Sequence, residues 1–428
     1  MRSGRRRAAL LLVPVVAVAL AWLLRNPDEG ARDLANSGTV VMATDAAVRG
    51  EYLARAGNCM HCHTQSGGAD YAGGRAIETP FGGVYTSNLT PDAKTGLGAW
   101  SADDFWSAMH YGVSKGGRWL LPVFPYGNFT RVSRADSDAI YAYLRSVPAV
   151  SHANREHELV WPFDSQWALG LWRALFFRTQ TFRADSSQSE TWNRGAYLVQ
   201  GLGHCGACHS ARNALGASSD VAALAGGMIP TQNWYAPALS PRWESVVRPR
   251  KVDELVQLLQ AGTSTRSAAM GPMAEVVLHS TQFLTLGDLT AMAVYLNDLP
   301  PVPDAHGATS KTLNSSGSVA PAGEGLYKDH CAHCHAVDGQ GVLHAYPALA
   351  GSSVVNMVPP VNLVQIVLHG GFPPATSANP RPFGMPPFAL SLSDHDIAAV
   401  LSYVRSAWGN RAGEVTPQDV DRLRGRSH

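Results

Sequence analysis

The sequence predicts a mainly α fold of three tandem segments joined by long loops, preceded by one apolar N-terminal helix. Three observations predict it. A Cys-x-x-Cys-His motif occurs three times in 428 residues, each time near the head of a segment. Each segment closes on a stretch whose apolar residues recur at three and four, the spacing of a helix packed on one face. Forty-one Gly and 27 Pro beside only 16% charged residues suggest short helices between long connections.

The length allows about three domains. With 34 Lys+Arg against 33 Asp+Glu, the formal charge is +1. No basic excess exists to neutralise phosphates, which argues against a nucleic-acid partner. At 45% hydrophobic the chain can bury sizeable cores, and global disorder is excluded.

Residues 1–25 read as a signal or membrane anchor. Arg5, Arg6 and Arg7 precede an uncharged stretch from Ala8 to Leu24, closed by Arg25. Ala19-Leu20-Ala21 resembles a small-residue cleavage site. The apolar stretch falls just short of the about 20 residues that span a bilayer, with Trp22 at its outer interface. A retained anchor is the preferred reading. Either form places the working part on the periplasmic side of a bacterial cytoplasmic membrane, anchored or peripherally attached.

The segments at 45–150, 191–302 and 323–410 hold Cys59, Cys62 and His63, then Cys205, Cys208 and His209, then Cys331, Cys334 and His335. Cys-x-x-Cys-His is the attachment signature of c-type haem: both thiols add to porphyrin vinyl groups and the adjacent His ligates iron. Zinc would need a further ligand pair at finger-like spacing, whereas the motifs lie more than 120 residues apart. A redox pair or a disulfide does not explain the His each time. The expectation is three covalent haem c groups on three tandem class I cytochrome c domains, with no Cys left over.

Each domain opens on a short helix, at Gly50-Glu51-Tyr52-Leu53, Gly195-Ala196-Tyr197-Leu198 and Gly325-Leu326-Tyr327. Each closes on a helix, from Asp138 to Val147, Leu286 to Leu299 and Asp394 to Trp408, with Ser137, Thr285 and Ser393 near its start as caps. Pro237-Ala238-Leu239 and Pro347-Ala348-Leu349 share a pattern that the first domain replaces with Thr86-Ser87-Asn88-Leu89. In small c-type cytochromes this Pro carbonyl accepts the proximal His N–H and fixes the imidazole.

The sixth iron ligand is expected from the loop before the closing helix, and Met is its usual donor. In the third domain Met385, in Phe383-Gly384-Met385-Pro386-Pro387, is preferred over Met357. In the second, Met273 is preferred over Met270. The alternative for each is core packing, since Met is a common gap-filler. The first domain has Phe124 at this place, which cannot ligate iron. Met109, His110 and Met60 remain as donors there, beside an open site or a distant ligand. Loss of the thioether should lower that haem's potential.

The connector at 151–190 is dense in aromatics, among them Trp161, Phe163, Trp167, Trp172, Phe176, Phe177 and Phe182, with Arg173 and Arg178 interspersed. A helix through Trp167, Leu171 and Leu175 suits a membrane interface, a quinone pocket or a partner subunit, or else fills the seam between two haem domains. Residues 303–322 read as a flexible linker, which makes the third haem the most loosely held. The tail at 411–428 shows no chemistry of its own.

Stretches such as "GEYLARAGNC", "TPFGGVYTSNLTPD", "WNRGAYLVQGLGHCGACHSARNALG", "GPMAEVVLHSTQFLT" and "LSYVRSAWGNRAGEV" make the chain resemble a known family over most of its length. The family is the tri-haem cytochrome c subunits of membrane-associated bacterial dehydrogenases, which serve alcohol, gluconate, sorbitol or fructose, and aldehyde dehydrogenases. The resemblance implies electron transfer from a separate catalytic subunit, of PQQ, flavin or molybdenum type, to ubiquinone or another respiratory acceptor. It supports His63, His209 and His335 as proximal ligands and Met273 and Met385 as distal ones. It also marks Phe124 as a departure, because the family's loop usually reads Pro-Ala-Met-Pro-Tyr. A retained anchor is reminiscent of members paired with molybdenum-containing aldehyde dehydrogenases.

No Gly-x-Gly-x-x-Gly fingerprint of a nicotinamide or flavin site stands between a strand and a helix. The expected role is therefore electron transfer without substrate chemistry of its own. Two other readings stand beside it: a catalytic cytochrome, such as a peroxidase or small-molecule oxidase, acting at an open first haem, and a haem-bearing subunit of a terminal oxidase.

Overall fold

The computed structural model describes residues 43–218, 224–240, 252–265, 267–300, 320–343 and 345–425. The expected signal or anchor at 1–25 and the linker up to residue 319 lie outside the described residues. Among the described residues no helix is long and apolar enough to cross a membrane.

The fold is mainly α, with helix at 43% and, among the described residues, two small antiparallel sheets. The first segment holds α1 (Ala43–Ala56), α2 (Ala102–Trp106, continued by a π turn at Ser107–Tyr111) and α3 (Arg134–Leu144). Helix α4 (Gln166–Phe176) follows in the connector. The second segment holds α5 (Glu190–Tyr197, continued by a π turn at Leu198–Leu202), α6 (Val252–Ala261), α7 (Pro272–His279) and α8 (Leu286–Asn297). The third holds α9 (Ala320–His330), α10 (Val361–His369) and α11 (Asp394–Ser406), and the tail adds α12 (Pro417–Arg424).

Opening and closing helices cross the same way in all three segments, and glycine permits it. A Cβ on Gly50 would lie 1.9 Å from the Ala139 carbonyl oxygen, and one on Gly195 1.9 Å from that of Ala291. The third crossing uses Gly323, 2.4 Å from the Ala399 oxygen, rather than the expected Gly325, which faces open space. The reason is the place of the tyrosine. Tyr52 and Tyr197 follow their crossing glycines by two residues and Tyr327 follows Gly323 by four, so matching by the Tyr slips by two residues.

Thr285 and Ser393 cap α8 and α11 as expected, accepting from the backbone of Asp288 and Asp396 at 3.2 Å. The first closing helix begins earlier than its apolar run suggests. Its cap is Ser133, which accepts from the Asp136 N–H at 3.1 Å, and Ser137 is buried inside the helix.

One apolar core runs through the first two segments, including Leu53, Ile140, Leu144, Leu198, Leu202 and Leu289. Side chains of this size each stabilise the fold by about 1.5–3 kcal/mol on full burial. Two reciprocal polar clasps lock the pair together. Arg49 and the Tyr197 phenol donate to Asp136 of α3, while Arg194 and the Tyr52 phenol donate to Asp288 of α8. The third segment has Ala322 and Gly325 at the Arg and Tyr positions and stands outside this pair.

That third segment has its own core, with Val364, Leu368, Ile397 and Leu401 joined by Val420 of α12. It nonetheless docks directly on the second. Asn362 of α10 donates to the Tyr235 carbonyl and accepts its N–H, both at 2.8 Å, and Gln365 donates to the Asn233 carbonyl. The amides of α10 make this contact, while the linker whose composition led to the expectation of looser attachment lies outside the described residues.

Candidate haem sites

Each motif lies on a single helical turn, Cys59–Cys62, Gly206–His209 or Ala332–His335, just beyond its opening helix. The Nδ1 atoms of His63, His209 and His335 lie 2.7, 2.7 and 3.0 Å from the carbonyl oxygens of Ser87, Pro237 and Pro347. A ring N–H donating there leaves Nε2 as the lone-pair nitrogen. Burial lowers the pKa of all three rings, against the opposing pull of the carbonyl, and holds them neutral. Ser87 shows that the arrangement needs a backbone carbonyl at this place, not the proline ring.

All six cysteines are free. Burial, reinforced by the neighbouring thiol, pushes Cys59 and Cys205 up to about 12 and Cys331 up to about 11. Such thiols are not thiolates at neutral pH, which speaks against a redox role. Among the described residues, the one cluster of metal-ligand type includes none of them. Paired free thiols beside a neutral imidazole with Nδ1 engaged are the donor set that covalent haem c requires, so the residues fit the group.

The structure separates the competing methionines. Met273 is the second residue of α7 and packs against the core shared by the first two segments. The Met270 methyl instead reaches the third segment, 3.3 Å from where a Cβ on Gly371 would stand. Met385 packs on the third core, its backbone paired with Gly371 in both directions. Met357 is fully buried between Tyr235 and Val361, and its carbonyl accepts from Arg405. Met273 thus packs on the core that also holds Cys59 and Cys205, whereas Met385 packs on a third-segment core separate from the one that holds Cys331.

In the first segment Phe124 takes the loop position and packs on the shared core, with its ring centroid 5.3 Å from that of Phe129. Met109 and His110 both sit on the π turn and are buried. His110 stacks on Trp106 at 4.4 Å, and Nδ1 is without a hydrogen-bond partner. Burial lowers its pKa, against a bond to the Thr130 carbonyl. Met109 lies three residues before a positive-φ glycine, Gly112, as Leu259 does before Gly262 and Val367 before Gly370. Those residues pack in the cores that Met273 and Met385 join. A thioether therefore stands in the first segment where the other two carry only hydrocarbon. Met60 also packs on the shared core, from within the motif itself.

Helix α4 touches both neighbours along one edge. Arg173 donates to the Tyr111 carbonyl, and Trp172 donates to the Leu215 carbonyl. Its other face does not enter a seam: Trp167, Leu171 and Leu175 are 62%, 57% and 60% exposed, next to Trp161 at 77%.

Crossed helices and carbonyl-locked histidines define a c-type cytochrome, and residues 47–148 and 320–408 match the family model for cytochrome c. The chain is 39% identical over 391 residues to the cytochrome c subunit of a quinone alcohol dehydrogenase from Gluconobacter oxydans, covering 88% of this chain and 81% of the relative. It is 38% identical over 402 residues to a gluconate 2-dehydrogenase cytochrome c subunit from Pantoea cypripedii, covering 89% and 90%. A fructose dehydrogenase cytochrome subunit from Gluconobacter japonicus is 31% identical over 438 residues, covering 96% and 89%. The chain belongs to the family of cytochrome c subunits of bacterial dehydrogenases, and that family implies covalently bound haem c.

Proposed function

We propose that the chain is a tri-haem electron-transfer subunit. It receives electrons from a dehydrogenase catalytic subunit and passes them to ubiquinone or another respiratory acceptor on the periplasmic side of the cytoplasmic membrane. The observation that carries this reading is the threefold recurrence of a carbonyl-locked histidine beside paired free thiols. Haem c, when bound, supplies one-electron transfer at iron.

Cys59 and Cys62, Cys205 and Cys208, and Cys331 and Cys334 would tether the three groups, with His63, His209 and His335 as proximal ligands. Met273 and Met385 would be distal ligands to the second and third. For the first, packing favours Met109 over His110, whose ring Trp106 and Thr130 already engage.

The spatial order supports a relay through a central second segment. The first and second share a core, and the rings of Phe124, Phe129 and His204 lead from the first loop to the residue before Cys205, with centroids 5.3 and 5.6 Å apart. The third docks on the second through Asn362 and Gln365. The exposed face of α4, with Trp161 beside it, supports attachment to a membrane surface.

Phe124 favours one second reading, a catalytic cytochrome working at an open first haem. Affinity purification of the tagged chain from mildly solubilised membranes separates the two. The proposal expects a dehydrogenase subunit in near-equal amount, whose substrate reduces the haems. Recovery of the chain alone, or with a many-spanning oxidase core, would overturn it.

A further inference from the structure

His61 lies between the two thiols of the first motif, and Glu275 and His279 lie one turn apart on α7, which belongs to the second segment. His279 Nε2 is 3.2 Å from Glu275 Oε2, and His61 Nδ1 is 3.9 Å from the same oxygen. The two imidazoles stack with centroids 4.8 Å apart at 28°. One ligand atom from each residue can be chosen so that all three lie within 4.8 Å of one another. Three ligands around a tetrahedral zinc, with bonds of 2.0–2.2 Å, stand about 3.3 Å apart. Small side-chain rotations close that difference.

We propose that His61, Glu275 and His279 form a binding site for a divalent transition-metal ion of the zinc class, bridging the first two haem segments. The donor set decides the class. Two imidazoles and one carboxylate suit zinc and its neighbours, whereas calcium and magnesium take oxygen ligands. The single carboxylate and the nearby Arg75, whose Nη1 lies 3.5 Å from His61 Nδ1, also disfavour an ion held by charge alone.

The scaffold brings the residues together without the ion. Arg75 donates to the His61 carbonyl at 3.0 Å and fixes the motif turn, while Ser280 at the end of α7 donates to the Ala56 carbonyl at the end of α1. Glu275 is half-exposed, so an ion can enter and a fourth position stays open to water. The helix that would supply Glu275 and His279 also carries Met273, so the ion would tie the first motif to the second segment's distal candidate.

The test uses the full haem-loaded chain, purified without a polyhistidine tag, stripped with chelator and titrated with Zn²⁺ by calorimetry. The inference expects one saturable site per chain whose affinity falls at least tenfold in His279→Ala and in Glu275→Gln, with the haem spectrum of each variant intact. Zinc-edge absorption should show imidazole nitrogen in the first coordination sphere. Absence of saturable binding to the wild-type chain, or an affinity that neither variant changes, would overturn it. The three side chains would then be a Glu275–His279 contact with a stacked His61 ring.

Discussion

The Tyr197 phenol donates to Asp136 Oδ2 at 2.5 Å, joining the opening helix of the second segment to the closing helix of the first. The relationship is returned, since Tyr52 of the first segment donates to Asp288 Oδ2 of the second at 2.6 Å. Each carboxylate also takes an arginine from its own segment, Arg49 or Arg194. Two motif-bearing segments are thereby held as one body by contacts that neither could make alone.

Tyr197→Phe leaves the buried Asp136 without its phenol partner. A lost hydrogen bond to a charged buried group costs about 1–3 kcal/mol. The denaturant midpoint of the haem-loaded chain should fall accordingly, and an unchanged midpoint would show that the clasp adds nothing.

The second clasp carries a pH signature. Burial acts to raise the pKa of Asp288, but hydrogen bonds from Arg194 and Tyr52 outweigh it, and the carboxyl sits below its ordinary range. A depressed folded-state pKa stabilises the fold above the unfolded value of about 3.9, and this stabilisation disappears as pH falls through the folded value. Denaturant midpoints of the wild-type chain should therefore drop below about pH 4. Asp288→Asn should be less stable at neutral pH and should lose part of that acid dependence.

Much of this was legible in the sequence because it is local. The Cys and His of each motif are adjacent, and Thr285 and Ser393 stand directly before their helices. Met385 could be picked out because Gly384 and Pro386 take it off any helical stripe. The clasps were not legible as contacts, since Tyr52 and Asp288 are 236 positions apart. Their one sequence trace is the repeat of Arg-Gly-x-Tyr at Arg49 and Arg194 and its loss at Ala322, where the third segment leaves the pair. The crossing Gly323 was missed because Tyr327 follows it by four residues, not two, and Gly325 stands in the place that matching by the Tyr selects. The cluster of His61, Glu275 and His279 had only the helical spacing of its last two members to announce it.

Met273→Leu and Met385→Leu should each remove the thioether–iron absorption of one haem and lower its potential. Met270→Leu and Met357→Leu should leave those absorptions unchanged, because their side chains pack elsewhere. Optical redox titration of the four variants checks the assignment, and loss of the band in Met270→Leu would reverse it for the second segment.

Met109 as the first haem's donor predicts that carbon monoxide leaves the reduced wild-type chain unchanged and binds one haem of the three in Met109→Leu. Adding Phe124→Met to that variant should suppress binding again by restoring the loop donor. Carbon monoxide binding to the wild-type chain would instead mark an open first haem and strengthen the catalytic reading.

The most direct measurement is the intact mass of the mature chain, taken under denaturing conditions that strip non-covalent ligands, with haem located on its peptides. The account predicts three haem c groups, on the peptides bearing Cys59 and Cys62, Cys205 and Cys208, and Cys331 and Cys334. Fewer than three covalent groups, or any of these pairs recovered as a disulfide or as free thiols from the fully matured protein, would contradict it.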